Sequence, residues 1–361
     1  MRTPIRRGEC VKKMIEIDGS QYSGSGTILR YSVGLCALLG KELQIKNIRA
    51  RRKKPGLRPQ HLKSVLACHE LVGGEIEHAE VCSQLLTFKP GKNIKVGSYQ
   101  WDIGTAGSTT MLVMTILPIA CFGSGPTKVK ISGGLFQDFA PGAFHMEQVL
   151  FPILKKMGFD VHLKIIRPGY IPQGGGIIEV EVKPVKDKLK SITLLDQGKI
   201  TQLTGISLSS HLKSGRVSER MAESCNQVLK QKGYEAKFDI LHDETSLQKG
   251  AALFVCTKTN NGCIIGADMA GKIGRSSEKI GRHVAKTLLE DLNTKATVDR
   301  FLADQLIIYA ALADGISEYI IPGMTDHIES NLWLVEKIIG AKTMIEGNYL
   351  KIEGVGFRLE D

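Results

Sequence analysis

QWDIGTAGSTTMLVMTILPIACFGSGPTKVKISGG, residues 100–134, reads as a short strand, a turn of small residues, an apolar helix and a second strand. The helix covers residues 107–122 and stops at Gly123, because glycine accepts the left-handed backbone that closes a helix. Downstream follow a strand at 128–132, a loop at 133–142, a helix at 143–157 stopped by Gly158, and strands near 161–166 and 177–182. The unit is therefore β-α-β-α-β-β. Working upstream, the same order recurs as a strand at 14–18, a helix at 24–39 ended by Gly40, a strand at 43–49, a basic loop, and a helix at 58–72 ended by Gly73. Near the C-terminal end it recurs again as a helix at 300–314 before Gly315, a strand at 318–321, a helix at 328–339 before Gly340, and strands at 342–346 and 349–353. Glycine is a common helix stop, so one echo carries little. Three in the same order predict a repeated fold of α/β (α+β) class.

Between residues 184 and 295 the pattern breaks. That stretch reads as strands at 192–195, 201–208, 236–241, 252–257 and 262–267, with helices at 214–232 and 276–292, the first capped by a serine and striped with Val217, Met221 and Val228. The expected organisation is a disordered basic tail at 1–13, a repeat body at 14–184 and 296–355, and an inserted domain at 185–295.

Composition narrows the function. A chain of 361 residues has room for about two domains. With 42% hydrophobic and 24% charged residues it is neither disordered nor collagen-like, and a net charge of +11 favours polyanionic partners such as nucleic acid or phosphorylated substrates. Eight cysteines without a CxxC pair read as reduced core thiols, which fits a cytoplasmic protein and excludes a zinc ribbon. The apolar run at 111–122 is broken by Thr115 and Pro118 and falls short of the ~20 residues a membrane span needs. No apolar stretch follows the basic residues at 1–13, so a secretory signal is not expected.

Several turns could hold an anion. Gly24-Ser25-Gly26 opens a helix, but Leu29 stands where a dinucleotide fingerprint has its third glycine, and no GxxxxGK[ST] occurs, so neither of those nucleotide sites is supported. The turn reads as an anion cradle or as plain structure. Arg49, Arg51, Arg52, Lys53, Lys54 and Arg58 surround Pro55-Gly56, ahead of Gln60 and His61; this is a phosphate-binding loop or a solvated basic one. Thr105-Ala106-Gly107-Ser108 is another small turn, and Gly174-Gly175-Gly176 marks a close backbone approach. His327 follows Gly323-Met324-Thr325-Asp326 at a strand-to-helix turn, where an imidazole serves as a nucleophile or as a simple cap.

Taken together, IDGS and GSGTILR within 17–30, IRARRKKPGLRPQHL (48–62), IGTAGS (103–108), GYIPQGGG (169–176), FLADQLI (301–307) and the His327 turn resemble the RNA 3'-terminal phosphate cyclase family. The resemblance implies three βαβαββ repeats like the C-terminal domain of translation initiation factor three, with a smaller α/β domain inserted. It implies that ATP is used to turn an RNA 3'-phosphate into a 2',3'-cyclic phosphodiester, with His327 carrying AMP as a phosphoramidate. Phe301, Leu302, Ala303, Asp304 and Gln305 would border the nucleotide, the ring of Phe301 against the base, with Pro141 and Met114 nearby. Arg30, Arg49, Arg52 and Gln60 would hold the RNA phosphate, and Mg²⁺ or Mn²⁺ would offset charge on the triphosphate. Ser23 replaces the family's metal-binding Glu, Thr27 and Met114 each replace a Gln, and Phe301 replaces a Tyr. Leu135 and Phe136 stand where the family has Thr-Asp. These losses leave two alternatives, a non-catalytic cyclase-like protein of ribosome assembly and an enolpyruvyl transferase built from similar repeats.

Overall fold

The computed structural model describes residues 14–138 and 140–359, so the tail expected at 1–13 lies outside the described residues. The first sheet is formed by β1 (Ile15–Asp18), β2 (Leu43–Lys46), β3 (Gly74–Glu77) and β4 (Leu86–Pro90), with helices α1 (Gly26–Leu39) and α2 (Pro59–Val72) between strands. Its order is β1-β2-β4-β3; the α1 crossover makes β1 and β2 parallel, and the other neighbours are antiparallel. The second sheet repeats this order as β5-β6-β8-β7, from β5 (Gly97–Asp102), β6 (Thr127–Gly133), β7 (Asp160–Arg167) and β8 (Gly176–Lys183). Here α3 (Thr109–Ala120) follows β5. The next helix runs as α4 (Ala143–His145), a π turn (Met146–Leu150) and α5 (Phe151–Lys156). The π turn precedes Pro152, whose ring nitrogen has no hydrogen to give the regular ladder, and this interrupts the continuous helix expected at 143–157.

The chain then enters β9 (Thr193–Leu194), β10 (Ile200–Ser210), α6 (Val217–Lys230), β11 (Lys237–Asp243), β12 (Gly250–Thr259), β13 (Ile264–Ala270) and α7 (Ser277–Asn293). Strands β11-β10-β12-β13 make a sheet of their own, and side chains of α6 and α7 such as Met221 and Leu288 share a separate apolar cluster with Leu253 of β12. A last group comprises α8 (Leu302–Leu312), β14 (Ile316–Ile320), α9 (Asp326–Leu334) with a π turn (Val335–Ile339), β15 (Lys342–Glu346) and β16 (Tyr349–Glu353). Two expectations change. The strand read at 192–195 does not join the intervening sheet: β9 pairs with β14 in parallel, Thr193 opposite Glu318, giving the order β9-β14-β16-β15. The helix read from 214 begins at Val217, because Lys213–Gly215 form a 3-10 turn and Arg216, at φ 48°, takes left-handed backbone.

At the centre lies α1. Its sequence is mostly apolar around the whole circumference, and all 14 of its residues, Arg30 included, are buried, against α2, α3 and α9. Gly34 permits the α3 contact, since a Cβ there would stand 2.7 Å from the Thr115 carbonyl oxygen. Ser25 caps its start by accepting from the Thr27 N–H, and Gly40, at φ 67°, closes it with an N–H donated to the Cys36 carbonyl. Cys82 is exposed, and the other described cysteines are buried free thiols. Among the described residues no helix is long and apolar enough to cross a membrane.

Candidate active site at four helix N-termini

Helices α1, α2, α3 and α9 begin at the same place. Gly26 and Thr27 from α1, Gln60 and His61 from α2, Ser108 at the cap of α3 and Met111 in its first turn, and His327 from α9 line one cavity of about 240 Å³. Ser108 accepts from the Met111 N–H at 3.1 Å and Thr325 from the Ile328 N–H at 3.2 Å, which fixes where α3 and α9 start. Helix N-termini carry partial positive charge, so their convergence favours an anion. Arg30, Arg49 and Arg52 add three guanidinium groups to the same walls.

These arginines are held differently. Arg30 is buried on α1 and donates to the Thr27 hydroxyl at 3.3 Å; burial lowers its pKa to about 10, with Arg49 and Arg52 pushing the same way, and it remains cationic at neutral pH. Arg49 folds back on its own loop, donating to the carbonyls of Lys54 at 2.7 Å and Gly56 at 2.9 Å. The basic loop is thus shaped by one of its own cations. His61 is 4% exposed, and burial together with Arg30, Arg49, Arg58 and Arg52 drives its pKa down to about 2, so the ring stays neutral. Gln60 accepts from the Ser108 N–H at 3.0 Å and so ties the α2 start to the α3 turn.

His327 Nδ1 lies 3.3 Å from the Thr27 hydroxyl and 3.5 Å from an Asp304 carboxylate oxygen. Burial raises the pKa of Asp304, while the bond to His327 and the charge of Arg30 oppose the rise. With Nδ1 turned to these two groups, Nε2 is the nitrogen left for a substrate.

The structure brings Arg30, Arg49, Arg52, Gln60 and His327 into one cavity, with Asp304 behind the imidazole. Other expected residues stand back from it. Leu302 and Ala303 are wholly buried on α8, Gln305 is buried with an amide oxygen that has no partner, and Phe301 sets its ring edge-on to His145 at 5.5 Å. The Pro141 carbonyl accepts from the Thr110 hydroxyl at 2.8 Å, and Ala140 rather than Pro141 lines the cavity. Met114 is buried one turn beyond the lining Met111. The Ser23 hydroxyl lies among hydroxyls, 3.1 Å from Ser25 and 2.8 Å from Ser330.

Two features went unread in the sequence. Asp138 lines the cavity and makes a bidentate pair with Arg275 at 2.8 and 2.9 Å. His145 and Asp299 form a buried pair at 3.1 Å, and Asp299 also accepts from the N–H groups of Gly266, Phe301 and Leu302. Neither has a local signature, because each joins distant parts of the chain.

The sequence profile of the RNA 3'-terminal phosphate cyclase family matches residues 21–345. The chain belongs to that family. It is 36% identical over 347 residues to the RNA 3'-terminal phosphate cyclase of Pyrobaculum aerophilum, covering 95% of this chain and 99% of that one. To the cyclase of Pyrococcus furiosus it is 38% identical over 337 residues, covering 92% and 96%, and to that of Methanopyrus kandleri 34% identical over 339 residues, covering 92% and 96%. A crystal structure of the enolpyruvyl transferase NikO from Streptomyces tendae aligns with a TM-score of 0.21 at 11% identity, covering 97% of this chain and 84% of that one, too low a likeness to carry an argument. For a cyclase-family chain, the shared cavity of His327 and the arginines is the feature that bears on chemistry.

Proposed function

We propose that this protein converts an RNA 3'-terminal phosphate into a 2',3'-cyclic phosphodiester in the cytoplasm, using ATP and passing through a histidine–AMP intermediate. The observation that carries the reading is the single cavity in which His327, Arg30, Arg49 and Arg52 meet at four helix N-termini. A phosphate monoester has no good leaving group, and AMP supplies one. Nε2 of His327 attacks the α-phosphorus of ATP, a P–N bond forms, and the bond to the bridging oxygen breaks to release pyrophosphate. Asp304 and Thr27 hold Nδ1, which orients the ring and steadies the charge it gains. An oxygen of the RNA 3'-phosphate then attacks the same phosphorus, breaking the P–N bond and returning neutral histidine. Finally the adjacent 2'-hydroxyl attacks the RNA phosphorus, gives its proton to water, and expels AMP. Arg30, Arg49 and Arg52 stabilise charge on the RNA phosphate through the last two steps.

The side chains present do not build a cage for Mg²⁺ or Mn²⁺. Among the described residues no three His, Cys, Asp or Glu side chains converge, and Ser23 offers only a hydroxyl bonded to its neighbours. A divalent ion entering this cavity would be carried by the phosphate oxygens of ATP. We further assign 14–184 and 296–355 to the catalytic body and the stretch between them to an insertion. The three sheets of common order, β1-β2-β4-β3, β5-β6-β8-β7 and β9-β14-β16-β15, support copies of one repeat. Thr193–Leu194, however, belongs with the body.

The test is incubation with ATP labelled at the α-phosphate. The expected product is a protein adduct, labile to acid and resistant to alkali, that is absent from His327→Ala. A wild-type protein that takes up no label, or a His327→Ala variant that labels normally, overturns the mechanism and leaves a binding protein of the same fold.

A further inference from the structure

A second groove of about 560 Å³ runs between the 170–173 loop and the β10–β13 sheet. Its walls carry four cations, Arg220, Lys249, Lys272 and Arg275, and no carboxylate. Glu278 holds Arg220 at 2.7 Å and Asp138 holds Arg275, so these two are fixed in place. Lys249 is exposed and has no ion-pair partner among the described residues, while Lys272 approaches Asp138 only at 4.0 Å with most of its side chain in solvent. Aliphatic side chains interleave with the charges. Ile273 is 99% exposed at the tip of its turn and Ile171 is 57% exposed, both on the groove, and Leu247 beside it is 55% exposed. Large aliphatic side chains left in water next to an unpaired and a weakly paired lysine fit a partner that is both anionic and apolar. Single-stranded nucleic acid is such a partner, with phosphates for the lysines and base faces for the aliphatic groups.

The groove also adjoins the candidate active site, with one ion pair between the two. Asp138, bound to Arg275 on one side, lines the His327 cavity on the other. The loop that forms the groove's opposite wall rests on the turn before α3: a Cβ at Gly174 would fall 2.8 Å from Cα of Ala106, two residues before Ser108. Gln173 fastens this wall to the other by donating its N–H to Gln248 at 3.1 Å. We infer that the groove binds the RNA strand 5' of the terminal dinucleotide, so that the insertion serves as half of a substrate channel. The inference rests on the proposed cyclase reading for the identity of the end, and on the groove's own chemistry for the strand.

Fluorescence anisotropy with a labelled single-stranded RNA dodecamer ending in a 3'-phosphate, over a potassium chloride series, tests it alongside a matching dinucleotide. Lys249→Ala/Lys272→Ala should bind the dodecamer about tenfold more weakly, and its slope of log affinity against log salt should fall by about 1.4, the release expected for two phosphate contacts on a single strand. Dinucleotide binding and labelling of His327 by ATP should not change. Unaltered dodecamer affinity and slope, or an equal loss for dodecamer and dinucleotide, overturns the assignment. So does sedimentation of the wild type as a dimer that Ile273→Ser turns into a monomer, because the groove then receives a second copy of this chain. If the wild type takes no label from ATP while the groove variant still loses dodecamer binding, the cyclase reading fails and the groove stands.

Discussion

Replacing Gly26 by alanine tests how tightly the cavity is built. Gly26 opens α1 with ordinary helical backbone, so the added methyl group brings no conformational strain, and alanine is intrinsically better in a helix by about 1 kcal/mol. The space around it argues the other way. A Cβ would stand 2.2 Å from Nε2 and 2.7 Å from Cδ2 of His61, and 2.9 Å from a guanidinium nitrogen of Arg30. Restoring an ordinary contact needs a retreat of about 1.2 Å by a ring wedged between α1 and α2, and overpacking of this kind costs about 1–3 kcal/mol. Net stability should therefore fall by up to about 2 kcal/mol, read as a lower urea midpoint with an unchanged slope. Because Arg30 must also retreat, by about 0.5 Å, RNA cyclisation should slow by about tenfold, less than the ~10²-fold expected for a misplacement of 1 Å. A Gly26→Ala protein with an equal or higher midpoint and unaltered cyclisation would refute the claim that His61 and Arg30 pack against this helix start.

Two further outcomes follow from the same charges. His61 is held neutral in the fold, with a pKa near 2 against 6.5 in the unfolded chain, so the unfolded state takes up the proton first and stability is lost as pH falls from about 6.5 toward 2. Urea midpoints measured between pH 7 and 4 should drop steeply for the wild type and less for His61→Gln; parallel curves would show that another group governs acid sensitivity. Arg52→Ala should leave labelling of His327 by ATP largely intact and slow cyclisation by about 10²-fold. Equal loss in both assays would move Arg52 to the nucleotide.

Helix stops and apolar periodicity are local, and for that reason the elements of the three sheets could be read from the chain. β9 is legible as a strand within 192–195, but its sheet is not: Thr193 and Leu194 join the last group only by pairing with Glu318 and Tyr319. The π turn before Pro152 was legible in principle, since the missing amide hydrogen is a sequence fact. In the site, His327 and the 48–62 arginines drew notice from their turns, but local composition left each open between a functional and a structural role. Asp138 gave no sign at all. Its meaning depends on Arg275, which approaches it only after the intervening sheet has folded.

The position of the site follows from the packing of α1. Helices α1 and α2 belong with the first sheet, α3 with the second and α9 with the last, so no single unit gathers all four N-termini. The wholly buried α1 gathers them by packing against α2, α3 and α9 at once, which brings their positive ends together. It also carries Arg30 into the interior, where a cation with no carboxylate at bonding distance among the described residues is unfavourable and a neighbouring pair of arginines makes it more so. Within the fold the Thr27 hydroxyl and the charge of Asp304 offset that cost in part, whereas an aliphatic residue would fill the volume of Arg30 without any desolvation penalty. The arrangement becomes favourable when an anion enters, because the phosphate then satisfies the guanidinium and the helix ends together. Arg30 is thus a residue whose burial costs stability and whose charge suits an anion, which is the physical support for the RNA phosphate position we propose.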